Sequence, residues 1–168
     1  MLTCTILSFI LLAGFIALST FLNRELPGSY SAFSALWADE IPMSNLNVWS
    51  IVTAIVAFLM VPPMIEAGDG SYFQCLGFFA PLYLIVVSLT PEWDIDKRQH
   101  RVHVIGAALC AFLAFLWLVL IRGHWWLVCA CFVAAIIAGS WTKTLPGCKV
   151  FWGECVMFLS VYLSLIIG

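Results

Sequence analysis

"HRVHVIGAALCAFLAFLWLVL", residues 100–120, decides how the rest of the chain is read. From Val102 to Leu120 it holds no Asp, Glu, Lys or Arg. Wound as an α-helix, about 20 such residues rise roughly 30 Å, the thickness of a bilayer's hydrocarbon core. The pattern recurs. Apolar runs over about 4–22, 47–66, 73–90, 125–141 and 150–167 join the run over 102–121 to predict six spans. The expected fold is all-α: one polytopic transmembrane helix bundle occupying residues 1–168 as a single domain. Composition agrees. Hydrophobic residues make up 64% of the 168 and charged residues 10%, against roughly a quarter charged in soluble domains.

The breaks between runs carry turn chemistry. "NRELPGS" closes the first run with charge, Pro27 and Gly28, and "EAGDGSY" separates the second from the third. "TPEWDIDKRQ" follows the third, "RGH" makes a tight hairpin between the fourth and fifth, and "TKTLPGCK" precedes the sixth. Pro62 and Pro63 fall inside the second run, where missing N–H groups predict a kink or an unwound end. Phe33, Leu36 and Trp37 recur at helical spacing in the longest connection. They predict either an interfacial helix over 29–40 or an anchoring loop. The chain opens without a basic segment or a small-residue cleavage pattern, so the first run is expected to be a retained helix.

Arg24, Lys97, Arg98, Arg101, Lys143 and Lys149 fall on one side of this layout and only Arg122 on the other. The excess of Lys and Arg on cytoplasmic loops then places 23–46, 90–101 and 142–149 in the cytoplasm and both termini outside. A net charge of −2 without a basic stripe argues against nucleic acid as a partner. Membrane lipid is the expected neighbour, with a homo-oligomer open. The seven cysteines include no CxxC pair and read as small packing residues.

The chemistry concentrates where the fourth run begins. Asp94 is a natural N-cap for a helix over 95–121. Asp96, His100, His103, Ala107, Ala111 and Ala114 share one helical stripe, small below the histidines, which predicts that His100 and His103 face the bundle. Glu154 sits about one turn inside the sixth run on the same side, where an ionisable group is costly unless paired or functional. Ser31 and Ser34 lie on that side too. Imidazole and carboxylate suit zinc or another divalent ion, which would lower the pKa of a bound water and allow hydrolysis near the headgroups. In that expectation His100, His103 and Glu154 are ligands. Asp94 or Asp96 is the general base or an orienting group. The alternative is a wet helix end, with His103 bonded to Glu154 or a serine merely to hold two helices together. Glu66, Asp69, Arg122 and His124 form a smaller polar set at the opposite end, beside Trp125 and Trp126, which suit the aromatic belt.

Over roughly residues 27–107 the layout resembles the CREST superfamily of membrane hydrolases, which includes the alkaline ceramidases. Ser31 or Ser34, Asp94 or Asp96, and His100 or His103 stand where that family places a serine, an aspartate and histidines around zinc. The resemblance implies a zinc-dependent hydrolase of lipid or amphipathic substrates. Two features depart from it: no histidine follows His124, so the family's C-terminal histidine pair is missing and Glu154 would have to substitute, and the chain is one span short. The layout is equally similar to six-span bacterial membrane proteins, which implies a bacterial inner membrane. Two functions remain open from the residues: a metal-assisted hydrolase, or a non-enzymatic membrane protein such as an oligomeric pore, an effector or a small-solute transporter. No phosphate-binding loop or nucleophile elbow is present.

Overall fold

The computed structural model describes residues 2–23, 46–90, 96–143 and 149–168. Ser31, Ser34, the 29–40 segment, Asp94 and the Pro146–Gly147 turn lie outside the described residues. The described residues form six helices: α1 (Leu2–Asn23), α2 (Leu46–Glu66), α3 (Leu76–Ser88), α4 (Lys97–Leu120), α5 (Trp125–Trp141) and α6 (Lys149–Ile167). No strand occurs among the described residues. α4 and α6 are each long and apolar enough to cross a membrane. The remaining helices are also apolar, and α3 is the shortest at 13 residues, a rise of about 20 Å.

Short turns impose an up-and-down order. The turn over 67–75 returns α3 along α2, and residues 121–124 return α5 from the end of α4. Gly123 takes φ +64° in that hairpin, a backbone region that costs glycine nothing. α3 packs most extensively on α4 and α2, α1 on α2, and α5 on α6, while α6 also touches α4 and α1. The core joins Val56, Met60 and Met64 of α2 to Leu84 of α3, Trp117 and Leu118 of α4, and Val161 and Tyr162 of α6. Leu127, Cys131, Ala135 and Gly139 are the buried face of α5, spaced by four. Cys131 and Ala135 pack there with Val156 of α6. Spacing by four keeps one face aligned, and small side chains let the helices approach.

Two details refine the sequence expectation. α2 continues through Pro62 and Pro63 and ends at Glu66, where the second apolar run ends. The chain then closes with Ala67 N–H on the Pro63 carbonyl at 3.0 Å and Gly68 N–H on the Ile65 carbonyl at 3.0 Å. That last, tighter turn passes over the Met64 carbonyl, and the Trp117 indole N–H of α4 donates to it at 3.0 Å. The second detail is the start of α4. Its N-cap is Asp96, not Asp94: the backbone is extended at Asp96 and its carboxylate accepts the Arg98 N–H at 2.8 Å. The helix therefore begins at Lys97, one turn before the apolar run.

Outside the core, every helix leaves large apolar side chains exposed, among them Ile10, Phe58, Phe78, Phe112, Ile137 and Ile166. Inside it, Thr5, Ser8, Thr53, Ser88, Ser160 and Ser164 are buried. The six described cysteines are unbridged thiols.

Candidate functional site

His103 is 6% exposed and faces the C-terminal end of α3. Its Nδ1 lies 3.0 Å from Thr90 Oγ1, and Thr90 Oγ1 donates to the Val87 carbonyl at 2.8 Å. The hydroxyl has one proton. With that proton on the Val87 carbonyl, the imidazole Nδ1–H donates to the hydroxyl oxygen. The ring is also within hydrogen-bonding reach of the main chain of Val87 and Thr90. Ser88 Oγ donates to the Ile85 carbonyl at 2.7 Å. The last carbonyls of a helix have no partner of their own and carry its partial negative charge. Thr90, Ser88 and His103 together close that end. One turn further, Gly106 lets α3 close in: a Cβ there would lie 3.3 Å from both Val86 Cγ1 and Val87 Cγ2. His103 and Gly106 therefore fasten α4 to α3.

This arrangement predicts that His103→Ala lowers thermal stability in detergent by about 2–3 kcal/mol, through a vacated volume and a stranded polar group. Thr90→Val should lose a similar interaction, and the double variant should be less destabilised than the sum of the two. Simple additivity in the melting temperatures would separate His103 from Thr90.

His100 is exposed rather than directed into the bundle. The buried face of α4 is His103, Gly106, Ala114, Trp117 and Leu118. It continues through Cys110 and Leu113, which pack on the core, with Ala107 and Ala111 half-buried beside it. His100 and His103 remain within electrostatic range of each other. Asp96 is exposed and engaged as the N-cap. Glu154 is half-buried on α6, and its charge reaches Cys110 and Cys155. Cys110 lies seven residues beyond His103, about 10 Å deeper along α4. Among the described residues no three His, Cys, Asp or Glu side chains come together to hold a metal ion, so His100, His103 and Glu154 are not gathered around one point.

Two hydroxyls in the same half of the bundle have no counterpart in the expected site. Ser50 Oγ and Thr53 Oγ1, one turn apart on α2, are shut off from solvent and have no hydrogen-bond partner among the described residues. Thr53 is 3% exposed. Further along, Ser8 Oγ lies 2.6 Å from Tyr162 Oη and donates, at a long 3.4 Å, to the Val56 carbonyl. This bond ties α1, α2 and α6 at one level. Thr53 is one turn from that level toward the Lys97 and Lys149 end. Ser50, Thr53, Thr90, His103 and Glu154 thus occupy the same half of the bundle, nearer its basic end. The i, i+3 spacing of Ser50 and Thr53 was legible. Their lack of partners depends on how α2 rotates in the bundle and was not.

The opposite end holds a second polar group. Ser164 of α6 is fully buried. Arg122 Nε donates to its Oγ at 3.3 Å and Nη2 to its carbonyl at 2.9 Å. His124 Nδ1 sits 2.8 Å from the same Oγ. His124 stacks edge-on against Trp126 with ring centroids 5.9 Å apart.

Compared with protein families, with curated proteins and with solved structures, the chain matches none.

Proposed function

We propose that this chain is an integral membrane protein whose six helices all cross the bilayer, and that it accommodates a small polar solute inside the bundle without altering it chemically. The membrane half of this reading is supported by the distribution of side chains: large apolar groups outside every helix and hydroxyls inside. Exposing each large apolar group to water would cost about 1.5–3 kcal/mol. Lys97, Arg98, Arg101, Lys143 and Lys149 at one end, against Arg122 at the other, support a cytoplasmic side for the basic end.

The observation that carries the solute half is the pair Ser50 Oγ and Thr53 Oγ1, both shut off from solvent and without a partner among the described residues. A stranded buried hydroxyl costs about 1–3 kcal/mol, and hydrocarbon offers no water to relieve it. Such a pair persists where something else supplies the partner. Water and a small polyol both have the right chemistry, since a hydroxyl donates and accepts. A homo-oligomer would act in the same way, each copy carrying its own pair.

The test is stopped-flow light scattering of proteoliposomes with water and with glycerol, on wild type and on Ser50→Ala/Thr53→Val. The double variant should melt higher, by a few degrees, because it removes two unsatisfied groups. Its permeability should fall several-fold toward that of empty vesicles. Wild type no more permeable than empty vesicles to either probe would sink the solute reading. A metal-assisted hydrolase is the second reading, favoured by the three-residue spacing of His100 and His103 on the first turns of α4. It requires zinc-dependent turnover of a lipid ester or amide in the same vesicles, lost in His100→Ala at unchanged melting temperature.

A further inference from the structure

The hairpin between α4 and α5 carries a half-buried cation whose partners in the bundle bear no charge. We propose that Arg122 and His124 form a binding site for a phosphate-type oxyanion at the end of the bundle opposite the basic loops.

The donor count points outward. Arg122 has five N–H groups. Nε donates to Ser164 Oγ, and one Nη2 hydrogen goes to the Ser164 carbonyl. Three N–H groups have no partner among the described residues. The same Ser164 oxygen accepts from Arg122, and its single proton is available to His124 Nδ1, 2.8 Å away. With the hydroxyl proton on Nδ1, the imidazole carries its own proton on Nε2, the nitrogen facing away from Ser164. Arg122 and His124 are thus both held by one buried hydroxyl and both present N–H donors. A guanidinium matches the geometry of phosphate oxygens, and charge-assisted bonds of this kind are the strong ones.

Two carboxylates lie in the adjacent turn, next to which Gly68 approaches the Ile121 side chain. Both Glu66 and Asp69 are exposed, and neither bridges Arg122 among the described residues. Trp125 and Trp126 are exposed immediately after the donors. Tryptophans in that position suit the headgroup level of a bilayer. The oxyanion chemistry stands on Arg122, His124 and Ser164 alone. Only its source, a lipid headgroup rather than free phosphate, rests on the membrane reading.

The experiment is a thermal melt of the full chain in neutral detergent, titrated separately with inorganic phosphate, phosphatidylglycerol and phosphatidylcholine. It compares wild type, Arg122→Gln and Arg122→Lys. Wild type should be raised by several degrees with phosphatidylglycerol and not with phosphatidylcholine. Arg122→Gln should need about tenfold more phosphatidylglycerol for the same rise, and Arg122→Lys should fall between. Stabilisation by inorganic phosphate at millimolar concentration would support the site with a soluble ligand in place of a headgroup. If Arg122→Gln does not fold, the wild-type contrast still decides. Equal responses to phosphatidylglycerol and phosphatidylcholine without any response to phosphate would overturn the proposal, as would an undiminished response in a folded Arg122→Gln.

Discussion

Gly77→Ala should abolish a stable bundle. An added Cβ at Gly77 would lie 2.6 Å from the Met64 carbonyl oxygen, 2.7 Å from its carbon and 2.9 Å from the Ile65 nitrogen. All three atoms are backbone, so no rotamer change relieves the contact. α2 and α3 would have to separate where their joining turn is shortest and where the Trp117 indole already holds the Met64 carbonyl. Overpacking of this kind costs about 1–3 kcal/mol and more where neighbours cannot shift. The upper end is expected here, read as a collapsed monodisperse peak or a melting temperature lowered by ten degrees or more. Two other glycines provide the scale. Gly106→Ala meets valine methyls at 3.3 Å, which can yield by rotation, so the loss should be about 1 kcal/mol. Gly14→Ala meets nothing within 4 Å inside α1 and should stabilise by up to about 1 kcal/mol through helix propensity.

Trp117→Ala should cost about 3–5 kcal/mol, the range for removing a buried large aromatic. Trp117 is 0% exposed and central to the cluster that joins α2, α3, α4 and α6. It also closes the carbonyl stranded by the tight turn after Pro63. Trp117→Phe separates the two contributions. It keeps most of the volume and drops the N–H, so its loss should be about 1 kcal/mol, in keeping with interhelical bonds in membrane bundles. Equal losses in the two variants, measured by chemical or thermal unfolding in detergent, would mean that the indole N–H carries the stability and packing very little.

The helices were legible because hydropathy and breakers agree at each of the six runs. α3 was the least well drawn. Tyr72, Phe73 and Cys75 extend its apolar pattern, yet they sit in turns closed by Gln74 N–H on Ser71 and Leu76 N–H on Phe73. Apolar content does not distinguish a turn of that kind from a helical start. The direction of α4 was legible at His103 and Ala114, which are buried as their stripe predicts, and not at His100, which is exposed. Its alanines at 107, 108, 111 and 114 surround much of the helix, so a small-residue stripe does not select one face. Gly106 marks the contact with α3, because a Cβ there would lie 3.3 Å from both Val86 and Val87 methyls. His103 consequently turns to the end of α3, and His100, three residues earlier, stays exposed. Glu154 is half-buried on α6 and its charge reaches Cys110; the relative depth of packed helices is set by contacts along their whole length, which a local pattern does not carry. The Ser164 node joins residues 40 and 42 apart, a pairing that no local pattern encodes.

The six-span account depends on α3, the shortest helix of the bundle, crossing the bilayer with the rest. The most direct measurement is single-cysteine labelling from each side of sealed vesicles with a membrane-impermeant maleimide, in a background with the native cysteines replaced. Tyr72→Cys and Lys97→Cys flank α3, and both positions are exposed. Six crossings predict that Tyr72→Cys labels only from the outside and Lys97→Cys only from the cytoplasmic side. Labelling of both from the same side would contradict the six-span account.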